Sequence, residues 1–163
     1  MSGEIIQINI KPKKTNEVGL PKLSVNSAFF SKKNVGKDYN NYRMTLSTEH
    51  INNRSVLIYP IELIDELNSE GWPVKPGDLG ENITTRGIDY SNLKEGVKYK
   101  LGENVIIEIT EICNPCSNLT VLPYVGKEKI NTFIETLIGR RGMFAKVLQE
   151  GTVEQGTSMV ELN

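Results

Sequence analysis

Histidine is almost absent from this sequence: His50 is the single one in 163 residues. Any Ser-His-Asp triad would have to use that residue, which sits in a polar stretch. Zinc sites that need several imidazoles are excluded. Cysteine is nearly as scarce. Cys113 and Cys116 are the only two, too few for the disulfide framework of a small secreted domain. Net charge is small as well, with 19 Lys and Arg against 20 Asp and Glu. A duplex-DNA binder normally carries a basic excess, so no nucleic-acid partner is expected. No apolar run nears the roughly 18 residues that span a bilayer. The opening MSGEIIQINIK lacks the apolar core and cleavage site of a signal peptide. These absences predict a cytoplasmic protein with reduced thiols and no membrane partner. There is no Walker A motif, and the glycines Gly77 and Gly80 follow a loop and do not match a dinucleotide fingerprint.

What is present predicts one domain over residues 1–163. A chain of this length buries roughly two thirds of its unfolded surface and needs no covalent staples. Residues 4–10 alternate, with Ile6, Ile8 and Ile10 on one face of a half-buried strand. Residues 23–30 alternate again, with Leu23, Val25 and Phe29 in phase. Residues 31–53 form a long polar stretch of the kind that is either functional or disordered. The apolar run 55–59 reads as a buried strand. Pro60 opens a helix over 61–70 that Gly71 closes, with Ile61, Ile64 and Leu67 as its buried stripe. The Pro- and Gly-rich stretch 72–80 is irregular, and 81–85 is a short strand. Residues 96–101 and 105–112 read as a hairpin in which Val105, Ile107 and Ile109 share a face. The strongest helix is 127–138, where Ile130, Phe133, Ile134, Leu137 and Ile138 follow the helical template and Gly139 caps the end. Residues 143–148 and 158–162 are closing strands. Seven or eight short strands, two helices and no βαβ alternation make a parallel sheet unexpected. A mainly β fold, a barrel with helices on its outside or ends, is the natural reading.

Three features could carry chemistry. Cys113-Asn114-Pro115-Cys116 follows a strand directly and would sit near a barrel rim. A thiolate there is a nucleophile, a sulfur carrier or a soft-metal ligand; the alternative is two ordinary loop thiols. Structural zinc lacks its four ligands, and a thioredoxin-type motif lacks its βαβ setting. In Gly77-Asp78-Leu79-Gly80-Glu81-Asn82, two glycines let the backbone approach a ligand closely. Asp78, Glu81, Asn82, Thr84 and Arg86 add hydrogen-bonding capacity, although a tight turn that satisfies its own backbone explains them equally. Finally, residues 11–54 hold nine Lys and Arg, including Lys22, Arg43 and Arg54, against Glu17, Asp38 and Glu49. Such cations suit an anionic small molecule; a solvated face is the alternative, and the smaller pair Arg140-Arg141 is read the same way.

The stretch GDLGENITTRGI at 77–88, a strand pair and then Pro115-Cys116 resemble the MOSC domain family, which is similar to the C-terminal domain of molybdenum-cofactor sulfurase. Gly-x-Pro-Lys ending at Lys22, Arg54 before an apolar strand, and Arg141-Gly142 followed by Ala145-Lys146-Val147-Leu148 match in the same order. The resemblance implies a closed β-barrel similar to the pyruvate-kinase barrel domain, with two or three peripheral helices. It also implies binding of the molybdenum cofactor, a pterin dithiolene with a phosphate. On the same basis Cys116 is the molybdenum ligand or the carrier of a persulfide. Lys22, Arg43, Arg54 and Arg86 contact phosphate and pterin, and Asp78, Glu81, Asn82 and Thr84 bind the pterin or shape its pocket. The activity implied is reduction of N-hydroxylated compounds with a separate electron-donor protein. Sulfur carriage fed by a cysteine desulfurase, with any pyridoxal phosphate chemistry on that partner, is the alternative, and a non-catalytic anion-binding domain is a third. Two departures stand out. A Gly-Asp-Arg-His motif common in the family is replaced over 36–43, and Cys113 occupies a position where many members carry another residue, so it could resolve a persulfide on Cys116 as a disulfide.

Overall fold

The computed structural model describes residues 1–40 and 46–163. Along the chain, β1 (Ser2–Ile10), β2 (Leu23–Val25) and β3 (Ser27–Phe30) come first, then α1 (Thr48–Asn53), β4 (Val56–Pro60), α2 (Ile61–Ser69) and β5 (Ile83–Arg86). The second half holds β6 (Lys98–Leu101), β7 (Val105–Ile112), α3 (Gly126–Leu137), β8 (Met143–Gln149), β9 (Gly151–Glu154) and β10 (Ser158–Leu162). The strand order β10-β6-β7-β8-β4-β5-β1, with β1 pairing back onto β10, closes a seven-stranded barrel, and β2 hangs on the end of β1. The expected mainly β barrel with peripheral helices is therefore what the chain forms. Closure leaves the seven strands without an open edge in the ring, which an isolated sheet would have to protect.

The barrel interior is aliphatic. Ile5, Ile8, Ile58, Ile83, Ile107 and Ile109 are fully buried there, each stabilising the fold by about 1.5–3 kcal/mol. Outside the ring a second cluster joins α2, α3 and the loop between β7 and α3 through Leu63, Ile64, Leu67, Leu119, Phe133 and Leu137. Trp72 packs on Phe133 with ring centroids 4.6 Å apart. Arg140, just beyond α3, forks onto Glu70, just beyond α2, at 2.7 and 2.6 Å. Among the described residues no helix is long and apolar enough to cross a membrane.

Several expectations need correction. In β1 the pairing with β5 shifts register between Ile5 and Gln7. A bulge of this kind exchanges the two faces of a strand, so Ile5 and Ile8 are buried while Ile6 and Ile10 are only half-buried. The 23–30 pattern is two strands in two sheets. β2 extends the barrel sheet from β1 and β3 pairs with β9, a strand absent from the sequence-based expectation. Phase is lost at the break, leaving Leu23 and Phe29 exposed and Ala28 and Phe30 buried. β4 and β5 run parallel, with Ile58 opposite Ile83, joined through α2. This one βαβ crossover is hidden in the sequence because its strands are only five and four residues long. In α2 Leu63 joins Ile64 and Leu67 as the buried stripe, with Ile61 half-buried. In α3 Phe133 and Leu137 are buried, whereas Ile138 is past the helix end and exposed.

Candidate functional site

A cavity opens where β7 leaves the barrel, and encloses about 470 Å³, within the ordinary range for a small-molecule site. Arg54, Cys113, Cys116 and Arg141 line it together with Leu20 and Gly80. The backbone explains how Cys113 and Arg141 meet. β7 pairs with β8 down to Ile112 opposite Met143, and one residue further the Cys113 amide donates to the Gly142 carbonyl at 2.8 Å. Gly142 has φ +106, and a Cβ there would lie 2.9 Å from the Ile58 carbonyl oxygen. Only glycine lets this segment lie so close to β4. The Tyr59 hydroxyl donates to the Arg140 carbonyl at 2.8 Å, and the Gly142 amide donates to the Tyr90 hydroxyl at 3.3 Å. With its neighbours pinned on both sides, Arg141 is turned inward.

Arg141 is only 4% exposed, and its Nε and Nη1 have no hydrogen-bond partner among the described residues. A buried cation without answering hydrogen bonds is costly by several kcal/mol. Such a group is a strong sign that an anion completes the site. Its charge reaches the neighbouring titratable groups. Burial pushes the Cys113 thiol upward, and Arg141 is the largest influence pulling it back. Burial likewise raises the Tyr59 phenol, again against Arg141. Arg54, the other cation on the wall, is tied to Glu111 at 2.7 and 3.2 Å and lies over the Phe144 ring. Both cysteines are free; Cys113 is buried and Cys116 is exposed. Cys116 precedes the short 3-10 turn Ser117–Val121. No group of three or more His, Cys, Asp or Glu among the described residues could hold a metal ion alone.

The 77–84 segment is placed differently. Gly77, at φ +92, packs so closely that a Cβ would lie 2.4 Å from the Lys22 carbonyl oxygen. Asn82 accepts from the Leu57 amide at 3.0 Å and donates to Asp38 at 2.9 Å and to the Asn9 carbonyl at 3.3 Å. Asp38 also binds the Lys22 ammonium at 2.7 Å. Glu81 accepts from the Gly77 amide at 2.6 Å and the Thr84 hydroxyl at 3.0 Å, leaving Oε2 without a partner among the described residues. Complete burial pushes the Glu81 carboxyl up to about 7, despite those hydrogen bonds and the more distant Arg141 charge. Asp78 accepts from the Tyr124 hydroxyl at 2.9 Å.

Of the residues singled out in the sequence, Cys113, Cys116 and Arg54 are thus brought together on the cavity wall. Lys22, Asp78, Glu81, Asn82 and Thr84 are not among the described lining residues. Their side chains are engaged in the network that holds the loop. Arg86 is exposed on β5 opposite Glu4, also away from the lining. Arg43 lies outside the described residues. Arg141 is the residue missing from the sequence-derived site set: the pair Arg140-Arg141 reads in sequence only as a small cationic feature, with a solvated face as its alternative. The available signal was Gly142, which directly follows it where a helix gives way to a strand.

The MOSC domain family model matches residues 38–160. The chain belongs to the MOSC domain family. This MOSC domain superposes on a crystal structure of the YUAD protein from Bacillus subtilis with a TM-score of 0.81 and 19% identity, covering 100% of this chain and 97% of that one. It also superposes on YiiM from Geobacillus stearothermophilus with a TM-score of 0.73 and 23% identity, over 99% of this chain and 75% of that one. These likenesses describe the fold. In sequence, the domain is 33% identical over 86 residues to a protein of Gibberella moniliformis (strain M3125 / FGSC 7600) named "Reductase". That match takes in 51% of this chain and 14% of the fungal protein.

Proposed function

We propose that this MOSC domain binds the molybdenum cofactor in the cavity and serves as a reductase of N-hydroxylated compounds. The observation that carries the proposal is Arg141, a buried cation with unanswered donors, sharing a wall with the exposed thiol of Cys116. The residues fit the group. Its phosphate and dithiolene are anionic, and the Arg141 guanidinium supplies directed N–H donors in a setting of low dielectric. Arg54 adds a second positive charge, moderated by Glu111. A thiolate is the preferred protein ligand for a soft metal, and Cys116 offers one from the open side. A single thiolate suits a metal that arrives with its remaining ligands already in place. Leu20, Leu57, Leu79 and Ile112 supply apolar walls against which a flat ring can rest. When bound, the group supplies oxygen-atom transfer at molybdenum. The chain holds and orients it, and electrons come from a separate electron-donor protein. The name of the Gibberella moniliformis relative, "Reductase", supports the reductase reading.

Molybdenum content tests it, in protein expressed in a host that makes the cofactor. Wild type should carry the metal, and Cys116→Ser should lose it by at least about tenfold, since a hydroxyl is a poor soft-metal ligand. Metal retained in the variant overturns the role of Cys116. A second reading is favoured by the pair of free thiols: a sulfur carrier in which Cys116 accepts sulfur from a cysteine desulfurase. It predicts a mass gain of one sulfur on Cys116 after incubation with a desulfurase and cysteine without reductant. An unchanged mass contradicts it.

A further inference from the structure

We propose that Cys113 and Cys116 form a redox-reactive dithiol site that takes small anionic disulfides of the glutathione class and closes into an internal disulfide. The inference rests on the reading above of Cys116 as the cavity's thiol and adds its regulation. Four observations converge. Both thiols are free and line one cavity. Only two residues, Asn114 and Pro115, separate them, in a segment outside helix, strand and turn, so closure asks this short loop to bend until the Cα atoms reach the 4.4–6.8 Å or so that a disulfide requires. Their exposures differ, so the roles divide: Cys116 is open to an incoming molecule and Cys113 is buried behind it. Arg54 and Arg141 stand on the same wall, where they attract the carboxylates of a glutathione-like disulfide.

The chemistry is two successive thiol–disulfide exchanges. The Cys116 thiolate attacks one sulfur of glutathione disulfide, whose S–S bond breaks, and one glutathione leaves as a thiolate with the bonding electron pair. Cys116 then carries the other glutathione. Cys113 releases its proton to solvent and its thiolate attacks the Cys116 sulfur. The mixed disulfide breaks and the second glutathione leaves. Two protein thiols are oxidised to one disulfide, and one glutathione disulfide is reduced to two thiols. Cys116 is then no longer available to a metal, so the exchange switches off the cavity until a dithiol reductant restores it.

The test treats the full chain with glutathione disulfide and follows intact mass and alkylation by iodoacetamide. Wild type should lose two hydrogens, become resistant to alkylation at both cysteines, and regain both thiols with dithiothreitol. Cys113→Ser should stop at a stable glutathione adduct on Cys116. Cys116→Ser should react at least about tenfold more slowly, because its remaining thiol is buried. A wild-type protein that keeps the glutathione on Cys116 while Cys113 stays alkylatable overturns the proposal, as does a Cys116→Ser protein that reacts at the wild-type rate. Molybdenum is measured separately on fully reduced wild type. Its absence there contradicts the cofactor reading without altering the thiol result, and dithiol closure that leaves bound molybdenum undisturbed overturns the switch.

Discussion

Two polar regions lie side by side in this domain and are built on opposite plans. In the 77–84 loop, polar side chains answer the backbone and one another, with Glu81 Oε2 as the exception: Asn82 joins β4, β1 and Asp38, while Glu81 ties Gly77 to Thr84. On the cavity wall Arg141 is nearly as deeply buried as those groups, yet two of its nitrogens find no partner among the described residues. The loop uses its polarity to fix the chain. The wall keeps donors in reserve for something that is not protein. Dense hydrogen-bonding capacity in a sequence therefore identifies a scaffold as readily as a binding surface, and the unsatisfied donor separates the two.

Breaking the loop should have the largest effect on folding. Asn82→Ala removes three buried hydrogen bonds and takes the acceptor from the buried Leu57 amide, so it should lower the unfolding free energy by about 3 kcal/mol or more, read by urea denaturation. Next is Glu81→Gln. The unfolded carboxyl ionises near its ordinary 4.5 and the folded one near 7, so between those values the native state holds the additional proton and stability falls as pH rises. Wild type should be destabilised from pH 5 to 7 relative to Glu81→Gln, by about 2 kcal/mol at roughly 1.4 kcal/mol per pKa unit. Parallel unfolding curves at the two pH values contradict this. The smallest effect belongs to Glu111→Gln. Its pair with Arg54 is partly exposed, at 25% and 39% for the two side chains, so about 1 kcal/mol or less is expected in the same assay.

Much of the fold was legible because hydrophobic period survives in single strands and helices. The buried face of β7, the irregular 72–80 stretch and the 127–138 helix follow from it. The bulge in β1 and the change of sheet between Val25 and Ser27 were not legible. Each resets phase through pairing with distant strands, β5 and β9, which no local pattern records. At the site, the two cysteines and Arg54 could be found from residue type and position. Arg141 could not be told from Arg140 by type. The two diverge because Arg140 reaches Glu70 across the helix layer while Gly142 tucks its neighbour against β4.

The central claim, that Arg141 is held ready for an anionic ligand, is tested most directly by the thermal stability of wild type and Arg141→Met, each with and without inorganic phosphate as the anion probe. Removing an unpaired buried charge relieves its desolvation cost, and a ligand that binds only the native state raises stability by mass action. Arg141→Met should melt higher than wild type in the absence of phosphate, and phosphate should raise the Tm of wild type alone. An Arg141→Met protein that melts lower and still gains stability from phosphate would contradict the claim.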